Sequence, residues 1–240
     1  MKILVANPNS SENVTNSIMK SLSKVPLHED TEIIPLTNPK GTHSIDSTFS
    51  DYQSSWSYQR AVLETVKEQD IDAVVVGGFG NLGVYGLKEA LDIPVLGMSE
   101  TSMALGSTLG HKFSVLTTLN SFVPAMEDLI KVYEMGPKCA SVRAIDMNVQ
   151  DSVNDREKTL RLLEEEIRDM LLKDGCEVVI LGSGGLSGYN ETLQERIGIP
   201  ILDPGQVTLK MAEMMVEMNI SHSKRRKFAF PPQNIEEYFV

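Results

Sequence analysis

The sequence predicts an α/β protein of two pseudo-symmetric lobes, each a mostly parallel sheet flanked by helices, with a cleft between them. Three observations lead there. Apolar, β-branched runs alternate with stretches of helical periodicity, the pattern of parallel strands joined by crossover helices. The same succession starts again near residue 112. Two segments also match closely, "VVVGGFGNLG" (74–83) and "VVILGSGGLSG" (178–188), each a buried run breaking into a glycine-rich turn.

The elements follow in order. "KILVA" is an apolar first strand, and "NPNSS" behind it is a turn cluster. A polar helix is expected over 12–22 and a short strand over 32–37. Residues 54–69 read as a helix, with Trp56, Ala61, Val62 and Val66 at helical spacing. "DAVVVGG" is a continuous β-branched run and so a strand buried on both faces. "YGLKEAL" is a short helix and "IPVLGM" another strand. In the second half, "KFSVLTTLNS" takes the part of the first strand and its turn. A helix over 122–133 and the segment "ASVRAIDM" follow. Residues 154–173 form the clearest helix, with Leu160, Leu163, Ile167, Met170 and Leu171 on one face and the acidic run 164–166 around the other. "LQERIGIPILD" (193–203) then matches "LKEALDIPVLG" (87–97), so the chain reads as a duplicated unit. We assign residues 1–98 and 203–240 to the first lobe, the latter bringing a C-terminal helix, and 99–202 to the second.

Composition bounds the function. The 240 residues are 41% hydrophobic, enough for a sizeable core, and the net charge of -11 argues against nucleic acid or an anionic membrane as partner. The basic run "SKRRKF" (223–228) reads as a solvated patch. No apolar run approaches the ~20 residues of a membrane span, and the N-terminus lacks the apolar core of a signal peptide. Two cysteines, Cys139 and Cys176, are too few for a disulfide framework and point to a reducing cytoplasm. The histidines His28, His43, His111 and His222 show no metal spacing, and no nucleotide-binding glycine motif is present.

Ligands of open parallel sheets sit beyond the carboxyl ends of the strands. Two facing lobes would bring the turns at 7–11, 77–83, 117–121 and 182–188 around one cleft. Glycines there allow close backbone approach and leave N–H groups free for an anion or a carbonyl oxygen. Ligand contacts are expected from Asn9, Ser10, Phe79, Gly80, Asn81, Leu82, Thr117, Thr118, Gly184, Gly185 and Leu186.

The stretches "NPNSS", "SID" (44–46), "GGFGNLGVYGLKEALDIPVLGMSE", "LGHKFSVLTTLNSFVPAMED", "CASVRAIDM", "DGCEVVILGSGGLSG" and "RIGIPILDP" resemble, in order and over nearly the whole chain, the hydantoin racemase branch of the aspartate/glutamate racemase superfamily. The resemblance implies a site between two lobes with neither organic cofactor nor metal. It implies that two cysteines, one per lobe, move a proton on opposite faces of the substrate's α-carbon, thiols being tunable toward the operating pH. Those cysteines would stand at Gly78 and Ser183, and neither is present. The related arylmalonate decarboxylase branch also has glycine at the first position but keeps the second cysteine. Glycine offers no proton, and a serine hydroxyl is a poor base unless activated.

Other groups are candidates to compensate. Glu100 corresponds to an acidic position that the resemblance puts close to the site. His43, Tyr85, Tyr189 and Asp203 lie near the expected turns. The catalytic set expected is thus Ser183, Gly78 and Glu100. The activity expected is acid–base chemistry at the α-carbon of a small carboxylate or cyclic amide, in a homo-oligomer. Two alternatives stand beside it: a decarboxylase-like lyase or hydrolase using Ser183, and a non-catalytic binding protein.

Overall fold

The computed structural model describes residues 1–235 and Glu237. Residue 236 and residues 238–240, the end of the range assigned to the first lobe, lie outside the described residues.

The strands β1 (Lys2–Asn7), β2 (Glu32–Thr37), β3 (Ala73–Val76) and β4 (Val95–Gly97) form one parallel sheet in the order β2-β1-β3-β4. The strands β5 (Phe113–Thr117), β6 (Cys139–Ala144), β7 (Val178–Leu181) and β8 (Ile201–Leu202) form a second, again all parallel, in the order β6-β5-β7-β8. The two orders are the same when each half is counted from its own first strand, which is the duplication written in topology. The register sets Ala6 beside Val76 and Leu116 beside Leu181, so equivalent strand ends align in both sheets.

Each sheet is covered on both faces, which is why its central strands read as unbroken apolar runs. Alternate residues take opposite faces. Ile3, Val5, Val75 and Leu96 pack against Val14, Ile18 and Leu22 of α1 (Glu12–Leu22) and Leu209 and Ala212 of α9 (Pro204–Glu217). Leu4, Val74, Val76 and Val95 pack against Tyr58 and Val62 of α2 (Thr48–Glu68) and Leu87 of α3 (Val84–Ala90). In the second sheet, Leu116, Val179 and Leu181 meet Leu163, Ile167 and Met170 of α7 (Arg156–Lys173) and Leu193 of α8 (Asn190–Ile197). Phe113, Val115 and Ile180 meet Met126 and Ile130 of α5 (Val123–Val132).

The helix α4 (Met98–Leu109) belongs to both halves. It leaves the end of β4, its Met103 sits in the core of the second sheet, and its Thr101 Oγ1 lies 2.5 Å from Thr208 Oγ1 of α9. Periodicity did not resolve this helix. Its Thr101, Ser102 and Gly106 are buried, so it shows no polar stripe.

The basic run 223–228 departs from the solvated patch expected of it. Lys224 Nζ donates to the carbonyls of Lys88 at 2.5 Å and Glu89 at 3.3 Å, and also to that of Leu91. These are carbonyls at the C-terminal end of α3, where a cation is favoured. Beside it, His222 Nε2 accepts the Val95 N–H at 2.6 Å, and Phe228 packs on Tyr85 with ring centroids 5.8 Å apart. Arg225 and Arg226 are exposed. Among the described residues no helix is long and apolar enough to cross a membrane.

Candidate functional site

A cavity of about 70 Å³ lies between the carboxyl ends of the two sheets. Its walls come from five places. The end of β1 and its turn bring Asn7, Pro8 and Asn9, and the turn after β3 brings Gly77, Gly78, Phe79, Gly80 and Leu82. The end of β5 brings Thr117, Thr118 and Leu119, and the turn after β7 brings Gly182, Ser183 and Gly184. The segment leading into α2 closes one side with Ser44, Ile45 and Asp46, and the first turn of α2 adds Asp51, while Val14, Phe122, and Val149 of α6 (Val149–Asn154) complete the lining.

The paired glycines Gly77 and Gly182 are where the chain must leave each sheet against its neighbour. A Cβ on Gly77 would stand 2.7 Å from the Ala6 carbonyl oxygen, and one on Gly182 2.7 Å from Val115 Cγ1. The amides of Gly78, Phe79 and Gly80 on one wall, and of Ser183 and Gly184 on the other, donate to no protein acceptor among the described residues. They are fixed dipoles able to hold a carbonyl oxygen or the negative charge developing on it. Gly78 is not open space, because a Cβ there would lie 3.0 Å from Pro8 Cγ. Ser183 Oγ accepts the Gly185 N–H at 3.3 Å, which leaves its hydroxyl proton to donate elsewhere. Thr117 Oγ1 donates to the Gly182 carbonyl at 3.2 Å, tying the two turns of the second lobe. Asn7 Nδ2 donates to Asn9 Oδ1 and to Thr15 Oγ1, each at 2.9 Å, and so fixes the first turn.

Of the residues expected at the site, Asn9, Gly78, Phe79, Gly80, Leu82, Thr117, Thr118, Ser183 and Gly184 line the cavity. The others stand away from it. Asn81, in a left-handed conformation that Asn tolerates, accepts the Ser99 N–H and donates to Tyr133 Oη at 2.6 Å. Leu186 is fully buried in the core of the second sheet, and Gly185 packs on Ser152 and Val149. Ser10 donates its N–H to the Thr42 carbonyl at 2.9 Å.

Glu100 is not brought to the cavity. Both its oxygens accept from Lys88 Nζ, at 2.6 and 2.7 Å, and Oε1 also accepts the Gly97 N–H at 2.9 Å. The same holds for the other compensating groups. His43 is exposed, and Tyr85 stacks against the C-terminal segment. Tyr189 Oη donates to the Ser152 carbonyl at 2.9 Å. Asp203 caps α9, and its oxygens also accept from Ser21 Oγ and the Gly188 N–H. Neither cysteine lines the cavity: Cys139 opens β6 and Cys176 precedes β7, at the opposite ends of those strands. Burial pushes the Cys139 thiol up to about 11 and raises that of Cys176, the reverse of an activated thiol.

What the sequence reading missed is the acidic side of the cavity. Asp46 ends the segment "SID", and Asp51 lies five residues beyond it in no motif or spacing that marks it from sequence. Desolvation by burial raises the Asp51 carboxyl above its ordinary 3.8.

Two parallel lobes of equal topology with a strand-end cavity between them define a racemase-type α/β fold. The Asp/Glu/Hydantoin racemase model matches residues 3–212, and the chain belongs to that family of enzymes. A hydantoin racemase from Rhizobium meliloti is 32% identical over 231 residues, covering 96% of this chain and 95% of its own. The allantoin racemase structure from Pseudomonas fluorescens superposes with a TM-score of 0.90 at 33% identity, covering 98% of both chains. That of the Klebsiella pneumoniae allantoin racemase superposes with a TM-score of 0.93 at 27% identity, covering 98% of this chain and 95% of the other.

Proposed function

We propose that this protein moves a proton at the α-carbon of a neutral cyclic amide of the hydantoin kind, without a cofactor. One observation carries the choice of substrate. Among the described residues the charged side chains lining the cavity are Asp46 and Asp51, and no Lys, Arg or His lines it. A free carboxylate entering there meets like charge, whereas a ring rich in N–H donors meets acceptors. The named relatives agree in substrate class, since hydantoin and allantoin are both cyclic ureides with an acidic ring C–H.

In this reading the ring carbonyl lies against the free amides of Gly78 to Gly80 or of Ser183 and Gly184. They stabilise the enolate formed when the adjacent C–H is lost. Thr118 and the Ser183 hydroxyl supply further hydrogen bonds. Gly78 leaves one wall without a thiol, so ordinary two-thiol inversion is not the route. A decarboxylase-like lyase fits less well, because a malonate dianion would face both carboxylates. A hydrolase using Ser183 lacks a base beside the serine among its hydrogen-bond partners. The reading extends to a homo-oligomer in the cytoplasm, with Cys139 and Cys176 kept as thiols.

The test is proton exchange in D2O. Allantoin, 5-substituted hydantoins, free amino acids and arylmalonates are each incubated with the protein, deuterium at the α-carbon is followed by NMR, and inversion by polarimetry. Exchange confined to the cyclic amides is the expected result. Turnover of amino acids or malonates with inert cyclic amides would overturn the assignment.

A further inference from the structure

We propose that Asp51 is the acid–base residue of this cavity, doing from the first lobe what a thiol at position 78 would otherwise do. The inference rests on the cyclic-amide reading above. It follows from what the cavity contains. Among the described residues its titratable side chains are Asp46 and Asp51; α1, β1, the two glycine turns and the end of β5 bring none. Asp46 is exposed, and its Oδ1 is engaged by Ser50 Oγ at 3.3 Å.

Asp51 is different. Its Oδ1 is shut off from solvent with no hydrogen-bond partner, and neither oxygen meets a protein donor or cation among the described residues. A carboxylate oxygen buried without a donor is costly, and such orphaned atoms in native proteins call for an explanation. Other buried carboxylates are held by donors: Asp203 accepts from Ser21, Gly188, Gly205 and Gln206, and Glu213 from His28, Thr31 and Lys210. Asp174 Oδ2 also lacks a partner, but its Oδ1 is held by the Arg143 guanidinium at 2.5 Å. Asp51, on the wall of the cavity, has a protein donor on neither oxygen among the described residues. A carboxyl with nothing to hold its charge takes up a proton readily, and the raised proton affinity caused by its burial agrees.

The step balances with these groups alone. Ionised Asp51 takes the proton from the ring carbon: the C–H bond breaks, an O–H bond forms on the carboxyl, and the electron pair moves to the neighbouring carbonyl oxygen as an enolate. The free amides of the glycine turns hold that oxygen. Return of the proton from Asp51 to the same face restores the starting enantiomer. Delivery from water at the opposite face, with Asp51 releasing its proton to solvent, gives the inverted one. In D2O both routes place deuterium on the carbon once the carboxyl has exchanged. A one-sided acid–base group therefore makes exchange run faster than inversion, which a symmetric pair of thiols does not require.

The experiment compares the full chain with Asp51→Asn and Asp51→Glu, using allantoin and a 5-substituted hydantoin in D2O. Asp51→Asn should lower the exchange rate by about 100-fold or more, the usual weight of a positioned proton-transfer group. It should also remove the acidic limb of the rate–pH profile, because the ionised form is the base. Asp51→Glu should restore part of the rate. Melting curves run alongside confirm that each variant is folded. Exchange by a folded Asp51→Asn within about threefold of the parent, with the same pH limb, would overturn the role of Asp51 while leaving the cyclic-amide reading intact. A parent protein inert toward both compounds would overturn that reading and this inference with it.

Discussion

Glu100 is the group for which sequence and structure make opposite predictions, so its substitution is the most informative. The Lys88 and Glu100 side chains are 8% and 17% exposed, and Lys88 Nζ sits 2.6 Å from Glu100 Oε1. In Glu100→Gln the Lys88 ammonium stays buried without its counter-ion. Breaking a buried pair from one side costs about 3–5 kcal/mol. For a chain of this length each kcal/mol shifts Tm by about 2–4 °C, so a fall of roughly 6–20 °C is expected. Replacing both partners by Met should recover most of it, since an apolar pair of similar volume carries no stranded charge, less about 1 kcal/mol for the uncapped Gly97 N–H. The assay pairs calorimetric melting with the D2O exchange rate, measured well below either melt. Exchange per folded molecule should stay within about threefold of the parent. A variant that melts within about 2 °C of the parent yet loses exchange by about 100-fold would show that Glu100 acts in the chemistry and that its salt bridge is incidental.

Two further outcomes are expected. Asp203 is 2% exposed and its oxygens accept from α1, the turn after β7 and the first turn of α9, so Asp203→Ala strands several donors at once. Urea unfolding should show a loss of at least about 3 kcal/mol with an unchanged slope, and a loss under about 1 kcal/mol would mean that the cap is dispensable. Burial, and then the charges of Lys88 and Lys224, lower the His222 imidazole from 6.5 to about 4. The unfolded imidazole thus takes its proton before the folded one does. The stability it carries is full above pH 6.5 and is lost as pH falls toward 4. Amide exchange in residues 221–230, corrected for intrinsic rates, should rise over that window, and protection unchanged down to pH 4 would contradict the docking described here.

Much of the fold was legible because both sheets are buried on both faces. "DAVVVGG" and "CEVVILGSGG" could be little else, and β1, α1 and β2 fall where the pattern put them. The strand-end turns were legible from their glycines. The acidic wall was not, and the reason is local. The apolar periodicity of α2 begins near residue 54, but the helix starts at Thr48, where Ser47 caps it in reciprocal hydrogen bonding with Ser50. The extra turn exposes Phe49 and Tyr52, at 77% and 76%, to solvent, so its residues break the amphipathic pattern. Asp51 sits in that turn. No spacing rule marks a carboxyl that functions by lacking partners, since the missing partners are visible only in three dimensions. Glu100 and Asp203 erred the other way: both lie close to the site in sequence, and both are consumed by structural bonds.

The double allegiance of α4 bears on how a molecule gets in and out. A helix rooted at the end of one sheet, bonded to α9 on that side and packed by Met103 into the core of the other, works as a tie-beam. Swinging the halves apart would tear one of its two anchorages, so the halves are expected to share a single melting transition and to stay clamped during turnover. Traffic then falls to the door. The segment 42–51 is fastened by hydroxyl contacts among Thr42, Ser47, Ser50 and Ser54, and among the described residues no ion pair pins it. Asp46 and Asp51 travel on that same strip of chain. If that strip moves to admit a ligand, Asp51 moves with it, and solvent then reaches its buried oxygen.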